Sequence, residues 1–139
     1  VKRIVFCSGK VYFELAERRK ALGRNDVAII RIEQIYPFHT QLAKKLLANY
    51  PKAAETVWSQ EEPRNAGAYI FIADVFRTEL KVELTYMGRD ASATPAVGSK
   101  HADKKQQEAV LSASIGPKPK DSAKPSPEPK PAVAVPTKV

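Results

Sequence analysis

The sequence predicts a three-layer α/β sandwich with a mainly parallel sheet, followed by a disordered C-terminal tail. Strand-like and helix-like segments alternate along the first 115 residues, which is typical of strand–helix–strand units. Residues 26–33 are apolar on both faces at their centre, as expected for a strand covered on both sides. The composition changes near Gly116, so we divide the chain into a domain at 1–115 and a tail at 116–139.

The predicted strands are short runs rich in β-branched and aromatic residues. The first reads Arg-Ile-Val-Phe-Cys over Arg3–Cys7, and the third contains Trp58. Pro63 follows the third strand and predicts its end, because proline has no N–H for the strand ladder. The four predicted strands cover residues 3–7, 26–33, 55–60 and 83–87.

The predicted helices carry apolar residues three or four positions apart. In the first, Tyr12 and Leu22 share a face and Gly23 is a suitable stop. Thr40 is the predicted N-cap of the second, and Pro51 closes it. The third is predicted from residue 69 to 80 and the fourth from 102 to 114.

The tail cannot build a core of its own. Residues 117–139 hold seven of the 11 prolines, five lysines and no aromatic residue. Such a segment buries too little apolar surface to offset its chain entropy. We therefore predict a disordered Lys/Pro/Ala-rich tail, extended in polyproline fashion, that serves as a linker or tether.

Composition excludes several classes of protein. The net charge is +8, but the basic residues are spread over several elements with acids among them, which argues against a nucleic-acid partner. No apolar run reaches the length of a membrane span and the first strand follows no signal-peptide pattern, so we expect no membrane partner. Cys7 is the only cysteine, so a soluble, reducing compartment is expected. The start at Val1 without Met suggests a piece of a longer polypeptide.

The most informative stretch follows Trp58. Two adjacent carboxylates, Glu61 and Glu62, precede a proline, and Asn65 and Gly67 then suit a tight turn or a helix entry. In open α/β sheets, polar groups at the carboxyl end of a strand are the usual place for ligands or partner chains. A solvated acidic loop is an equally good interpretation of these residue types.

Other motifs give weaker signals. Ser8, Gly9 and Lys10 form a strand-to-helix turn that could cradle a phosphate, but the full phosphate-loop pattern is absent and a plain turn is favoured. His39 and His101 have no ligand-spaced partner, so no metal site is predicted. Neighbours on a strand point to opposite sides, which argues against paired catalysis by the two adjacent glutamates. The residues thus indicate a module that completes a larger assembly.

Four ordered blocks carry a resemblance to a known family. Residues 1–10, residues 26–38, Trp58 with residues 60–68, and residues 88–98 resemble the C-terminal domain of the 2-oxoglutarate dehydrogenase E1 component. The resemblance covers residues 1–115 and leaves the tail outside. It implies a transketolase C-terminal-like α/β sandwich that packs in an E1 homodimer.

The resemblance also implies the parent enzyme's chemistry. Such an E1 depends on thiamine diphosphate and Mg²⁺, decarboxylates 2-oxoglutarate and passes the succinyl group to a lipoyl arm of the E2 succinyltransferase, with E3 completing the complex. The cofactor is held by preceding domains, so no catalytic or cofactor-binding residue is expected in residues 1–115. The implied location is the bacterial cytoplasm, or the mitochondrial matrix in a eukaryote. A related 2-oxoadipate dehydrogenase remains an alternative.

A regulatory nucleotide or acetyl-CoA module is the alternative function, using Ser8, Lys10 and Gln34. In some actinobacterial relatives the glutamine matching Gln34 is followed by arginines that can hold phosphates. This sequence has His39, Thr40 and Gln41 in that region, so we expect no acetyl-CoA control. The leading hypothesis assigns Arg89 and Ser92 to ordering of the small-residue loop at 88–98. It also expects five residues near the subunit interface: Gln60, Glu61, Glu62, Asn65 and Gly67.

Overall fold

The fold is an α/β sandwich built on an all-parallel sheet with the strand order β4-β3-β1-β2-β5. The computed structural model describes residues 1–93 and 99–117, and the backbone of a strand at 133–135. The strands are β1 (Arg3–Cys7), β2 (Val27–Ile32), β3 (Glu55–Pro63), β4 (Thr85–Arg89) and β5 (Val133–Val135). The helices are α1 (Val11–Leu22), α2 (Thr40–Ala48), α3 (Tyr69–Val75), which continues as a π-helical segment (Phe76–Leu80), and α4 (Lys100–Ser114).

Two apolar cores lie on opposite faces of the sheet, which confirms the predicted three layers. Successive residues of β1 alternate between them, because side chains of a strand point to opposite faces. Ile4 and Phe6 pack with α2, α3 and the π-helical segment, whereas Val5 and Cys7 pack with α1 and α4. The central strands are therefore buried on both sides, as the apolar run at 26–33 predicted.

Three arginines hold the C-terminal end of α4 against the amino edge of the sheet. Arg3 donates to the carbonyls of Ala113 and Ser114 at 3.1 and 3.0 Å. Arg18 Nη1 donates to the carbonyl of Gly116 at 3.0 Å, and Arg24 Nη1 donates to that of Ile115 at 2.6 Å. Cations suit a helix C-terminus because its last carbonyls lack intrahelical partners and carry partial negative charge.

The predicted helix starts and ends differ from the structure at several points. His39 caps α2, because its Nδ1 accepts a hydrogen bond from the Leu42 backbone N–H at 3.1 Å. The prediction of Thr40 as N-cap is wrong, since its hydroxyl donates to Glu79 at 2.6 Å. Helix α4 begins two residues before the predicted start, where Ser99 Oγ accepts from the Ala102 N–H at 3.1 Å.

Strand ends also differ from their predictions. Strand β3 extends to Pro63, beyond its predicted end at Gln60, because its pairing with β4 is irregular between these two residues and tolerates the proline. Strand β5 lies in the segment predicted to be disordered and pairs with Ile30–Ile32 of β2. The alternating Val-Ala-Val sequence suits an edge pairing. Apart from residues 116, 117 and 133–135, the predicted tail lies outside the described residues.

Candidate functional site

A polar cleft lies at the carboxyl edge of the sheet, where β1, β3 and β4 end. Parallel strands bring these ends together, and ligands or partners commonly bind there. The cleft has a volume of about 340 Å³. It is lined by Lys10, Glu14, Glu61, Glu62, Arg89, Asp103 and Gln107. Four of the ten residues predicted from the sequence therefore meet in one place, and the two helices α1 and α4 supply the others.

Gln60 organises the segment that leads into this cleft. Its side chain is only 2% exposed, and its Oε1 accepts hydrogen bonds from the Trp58 indole N–H at 2.8 Å and the Tyr69 backbone N–H at 3.2 Å. Its Nε2 donates to the carbonyls of Glu62, Pro63 and Ala66 at 3.1, 2.9 and 3.0 Å. The carboxamide thus ties the end of β3 to the first turn of α3.

Gly67 provides the room that this arrangement needs. Its φ is +67°, a left-handed conformation in which side chains are strained. A Cβ at this position would lie 3.1 Å from Gln60 Oε1 and 3.2 Å from Glu62 Cβ. The sequence indicated a turn at Gly67, and the structure adds the close approach to Gln60.

Glu61 shares a hydrogen-bond donor with a carboxylate of α1. Gln107 Nε2 donates to Glu61 Oε1 at 3.1 Å and to Glu14 Oε2 at 3.3 Å. Burial raises the pKa of Glu61, and Glu14 and Glu62 raise it further, while Lys10 and the Gln107 hydrogen bond lower it. A regular strand would point Glu61 and Glu62 to opposite sides, but both border the cleft because β3 is irregular there.

Arg89 connects β4 to the amino-terminal half of α4. Its Nη1 lies 2.9 Å from Asp103 Oδ1, and its Nη2 donates to Gln107 Oε1 at 3.1 Å. Gln107 is therefore bound at both ends of its carboxamide, by Arg89 and by the two glutamates Glu14 and Glu61. These contacts hold the wall of the cleft that α4 contributes.

Asn65 fixes the start of the loop that follows β4. Its Nδ2 donates to the Ser92 carbonyl at 2.8 Å, and its Oδ1 accepts from the Ser92 backbone N–H at 2.9 Å. Both bonds join the Asn65 side chain to the backbone of Ser92. The side chain that orders the start of this loop is therefore that of Asn65. Residues 94–98 of the small-residue loop lie outside the described part of the chain.

The remaining predicted residues do not line the cleft. Gly9 has a φ of +74° with no atom within 4 Å of an added Cβ, so the turn after Ser8 is open. Gln34 Nε2 donates to the Pro37 carbonyl at 2.9 Å, which ties the loop after β2 to itself. The proposed phosphate cradle thus contributes only Lys10 to the cleft.

Sequence reasoning missed the cleft residues on α1 and α4. Asp103 and Gln107 are four residues apart, so they share one face of α4, and this spacing is the signal that could have identified them. Glu14 lies on α1 among apolar positions and gave no comparable signal. The approach of α1 and α4 to the end of β3 depends on tertiary packing, which a local sequence pattern does not show.

The described residues show neither a metal site nor a thiol that is deprotonated at neutral pH. Among residues 1–93 and 99–117, no three His, Cys, Asp or Glu side chains are grouped so that they could hold a metal ion. Burial raises the pKa of Cys7 to about 12, so its thiol stays protonated at neutral pH. No described helix has the length and apolar character needed to cross a membrane.

Comparison with known proteins identifies the family. The family model for the 2-oxoglutarate dehydrogenase C-terminal region matches residues 1–115. The chain belongs to this family. The resemblance carried by the four sequence blocks is therefore confirmed, over the same residues for which it was inferred.

Relatives of this family that match the chain are E1 components. The 2-oxoglutarate dehydrogenase E1 components of Haemophilus influenzae and Cupriavidus necator are 49% and 45% identical over 113 and 117 residues, which is 80% and 83% of this chain. A 2-oxoadipate dehydrogenase complex component E1 of Xenopus laevis is 40% identical over 112 residues, 79% of this chain. The matched region spans 12% of the length of each of these relatives.

The contact between Gly67 and Gln60 is tested by a matched pair of alanine substitutions. Both Gly67→Ala and Gly9→Ala place a Cβ at positive φ, which costs roughly 1–2 kcal/mol. Only Gly67→Ala also crowds Gln60, so we expect it to lower the free energy of unfolding by about 1 kcal/mol more than Gly9→Ala. Urea denaturation measures both, and equal losses would contradict the close packing described here.

The environment of Glu61 is tested by the pH dependence of stability. Because its pKa is raised in the folded state, the favourable contribution of its protonated form is lost as pH rises from the ordinary glutamate range through the raised value. We therefore expect Glu61→Gln to have a higher Tm than the wild type at pH 7–8. The gain should vanish below about pH 4, where the glutamate is protonated in both states.

Glu17→Gln on the exposed side of α1 is the control. Its effect on Tm should be small and the same at every pH between about 4 and 8. A Glu61→Gln protein that is less stable than the wild type at pH 8 would contradict the assigned direction of the pKa shift.

Proposed function

We propose that this chain is the structural, dimer-supporting C-terminal domain of a 2-oxoglutarate dehydrogenase E1 component. The observation that carries the proposal is the family match over residues 1–115, together with relatives that are E1 components. The substrate of the parent enzyme is then 2-oxoglutarate, with 2-oxoadipate as the alternative that the Xenopus laevis relative suggests. Its location by this proposal is the bacterial cytoplasm, or the mitochondrial matrix in a eukaryote.

The parent chemistry is assigned to other parts of the longer protein. Thiamine diphosphate with Mg²⁺ supplies the carbanion-stabilising chemistry of 2-oxo acid decarboxylation. The residues described here do not fit a Mg²⁺ site, because no suitable group of carboxylates and histidines is assembled. We therefore assign this domain no step of the reaction. The succinyl group would pass to the lipoyl arm of E2, and E3 would complete the cycle.

The chemistry of the cleft favours a supporting role. Arg89 binds both Asp103 and Gln107 across the junction of β4 and α4, and Gln107 reaches Glu61 on β3. These contacts fix the relative positions of β3, β4 and α4. A rigid carboxyl edge is what a domain needs if it presents the segment at 60–67 to a neighbouring subunit, as in the proposed homodimer.

The charges of the cleft support the alternative function, a regulatory nucleotide or acetyl-CoA site, less well than they support the structural role. The cleft has four carboxylates, on Glu14, Glu61, Glu62 and Asp103, against the two cations Lys10 and Arg89. This excess of negative charge repels the phosphates of a nucleotide or of acetyl-CoA. Gln34, the other predicted contact, does not line the cleft and is bound to the Pro37 carbonyl.

The role of the cleft carboxylates can be tested in the full-length E1. We expect Glu61→Ala combined with Glu62→Ala to weaken the homodimer and to lower 2-oxoglutarate decarboxylation in parallel, because the variant loses the charge and packing of the carboxyl end of β3. Dimer mass by analytical ultracentrifugation and turnover with thiamine diphosphate and Mg²⁺ would be measured on the same preparation.

The control is Asp74→Ala combined with Glu83→Ala, which removes two exposed carboxylates from outside the cleft. Normal dimer mass and turnover in the double variant at 61 and 62 would contradict the role of that segment. Absence of turnover by the wild type with both 2-oxoglutarate and 2-oxoadipate would contradict the enzyme class itself.

A further inference from the structure

The outer edge of β2 would expose unpaired backbone groups of an apolar strand if nothing covered it. Val27, Ile29, Ile30 and Ile32 are at most 2% exposed, so this strand is buried on both faces although only β1 flanks it within residues 1–117. Apart from the partly exposed Arg31 side chain, what β2 leaves to be covered is the backbone of its outer edge. Unpaired edges of apolar strands are templates for pairing with other chains, and proteins usually cover them.

Three tail residues cover part of this edge. Val133, Ala134 and Val135 pair in parallel with Ile30, Arg31 and Ile32, the carboxyl half of β2. The alternating, β-branched segment Val-Ala-Val has the composition of an added strand. The pairing is short, so it supplies few hydrogen bonds against the entropy of ordering a chain end.

The place where the tail leaves α4 indicates that the added strand comes from the same copy of the chain. Arg24 binds the carbonyl of Ile115 and also pairs with Asp26, which immediately precedes β2. Arg18 binds the carbonyl of Gly116. The chain therefore leaves α4 beside the amino end of β2, on the side from which a parallel strand must enter.

The sequence between the two anchored points is longer than the distance requires. Sixteen residues, 117–132, separate Gly116 from Val133. Such a segment can reach roughly 50 Å when extended, whereas a six-residue strand is about 20 Å long. Sixteen connecting residues are therefore enough for the same copy to supply the added strand.

We propose that the outer edge of β2 is a strand-addition site whose occupant is this chain's own Val133–Val135 segment. The segment acts as a strap: it is supplied by the same copy and shields the edge from association with other copies. This inference stands apart from the proposed enzyme class, because it rests on the sheet edge and the tail.

Hydrogen exchange on the full 139-residue chain tests the strap. The variant is Ala134→Pro combined with Val135→Pro, since two consecutive prolines remove an N–H from either phase of the alternating ladder. We expect the backbone amides at 30–33 that lose their hydrogen bonds to the added strand to exchange at least tenfold faster than in the wild type. The control, Ser122→Pro combined with Ala123→Pro, changes the tether alone and should leave this protection unchanged.

Protection that depends on the strand and is independent of protein concentration supports the proposal. Unchanged exchange at 30–33 in the strand variant would show that the edge is not covered by this segment. Protection that falls on dilution, together with a dimer in sedimentation that the strand variant lacks, would show that the strand comes from a second copy. Either of these two results overturns the proposal.

Discussion

The buried carboxamide of Gln60 is the constraint on which the carboxyl edge of this domain depends. A polar side chain that is removed from water must satisfy its hydrogen-bonding groups within the protein. Gln60 does so by accepting from Trp58 and Tyr69 and by donating to three carbonyls, two at the end of β3 and one in the loop that follows. These bonds fix the path of the chain from the end of β3 into α3, and on that path Glu61 and Glu62 border the cleft.

Helix α4 is held at both ends, and this fixes the opposite wall of the cleft. Its C-terminal carbonyls bind Arg3 and Arg24, and the Ser114 hydroxyl donates to the buried Ser59 hydroxyl oxygen at 2.8 Å. Its first turns reach Arg89 and Glu61 through Asp103 and Gln107. The helix thus spans the sheet from its amino to its carboxyl edge, and a domain so braced is suited to support neighbouring parts of an E1 component.

Local patterns in the sequence predicted the elements well and their contacts poorly. The β-branched run at Arg3–Cys7 has the predicted bounds, because burial on both faces leaves a pattern that local residues reveal. The His39 cap escaped prediction, since threonine is the more common capping residue. The five hydrogen bonds of Gln60 and the approach of Gln107 to Glu61 join positions distant in sequence or irregular in backbone, which no spacing rule encodes.

The most direct test of this account is the free energy of unfolding of Gln60→Leu, with Gln34→Leu as the matched control. Leucine at position 60 would leave the Trp58 and Tyr69 N–H groups without their buried acceptor, and each such loss costs about 1–3 kcal/mol. The account predicts a decrease of at least about 2 kcal/mol for Gln60→Leu and under about 1 kcal/mol for the exposed Gln34 bond. Equal, small decreases for both variants would contradict it.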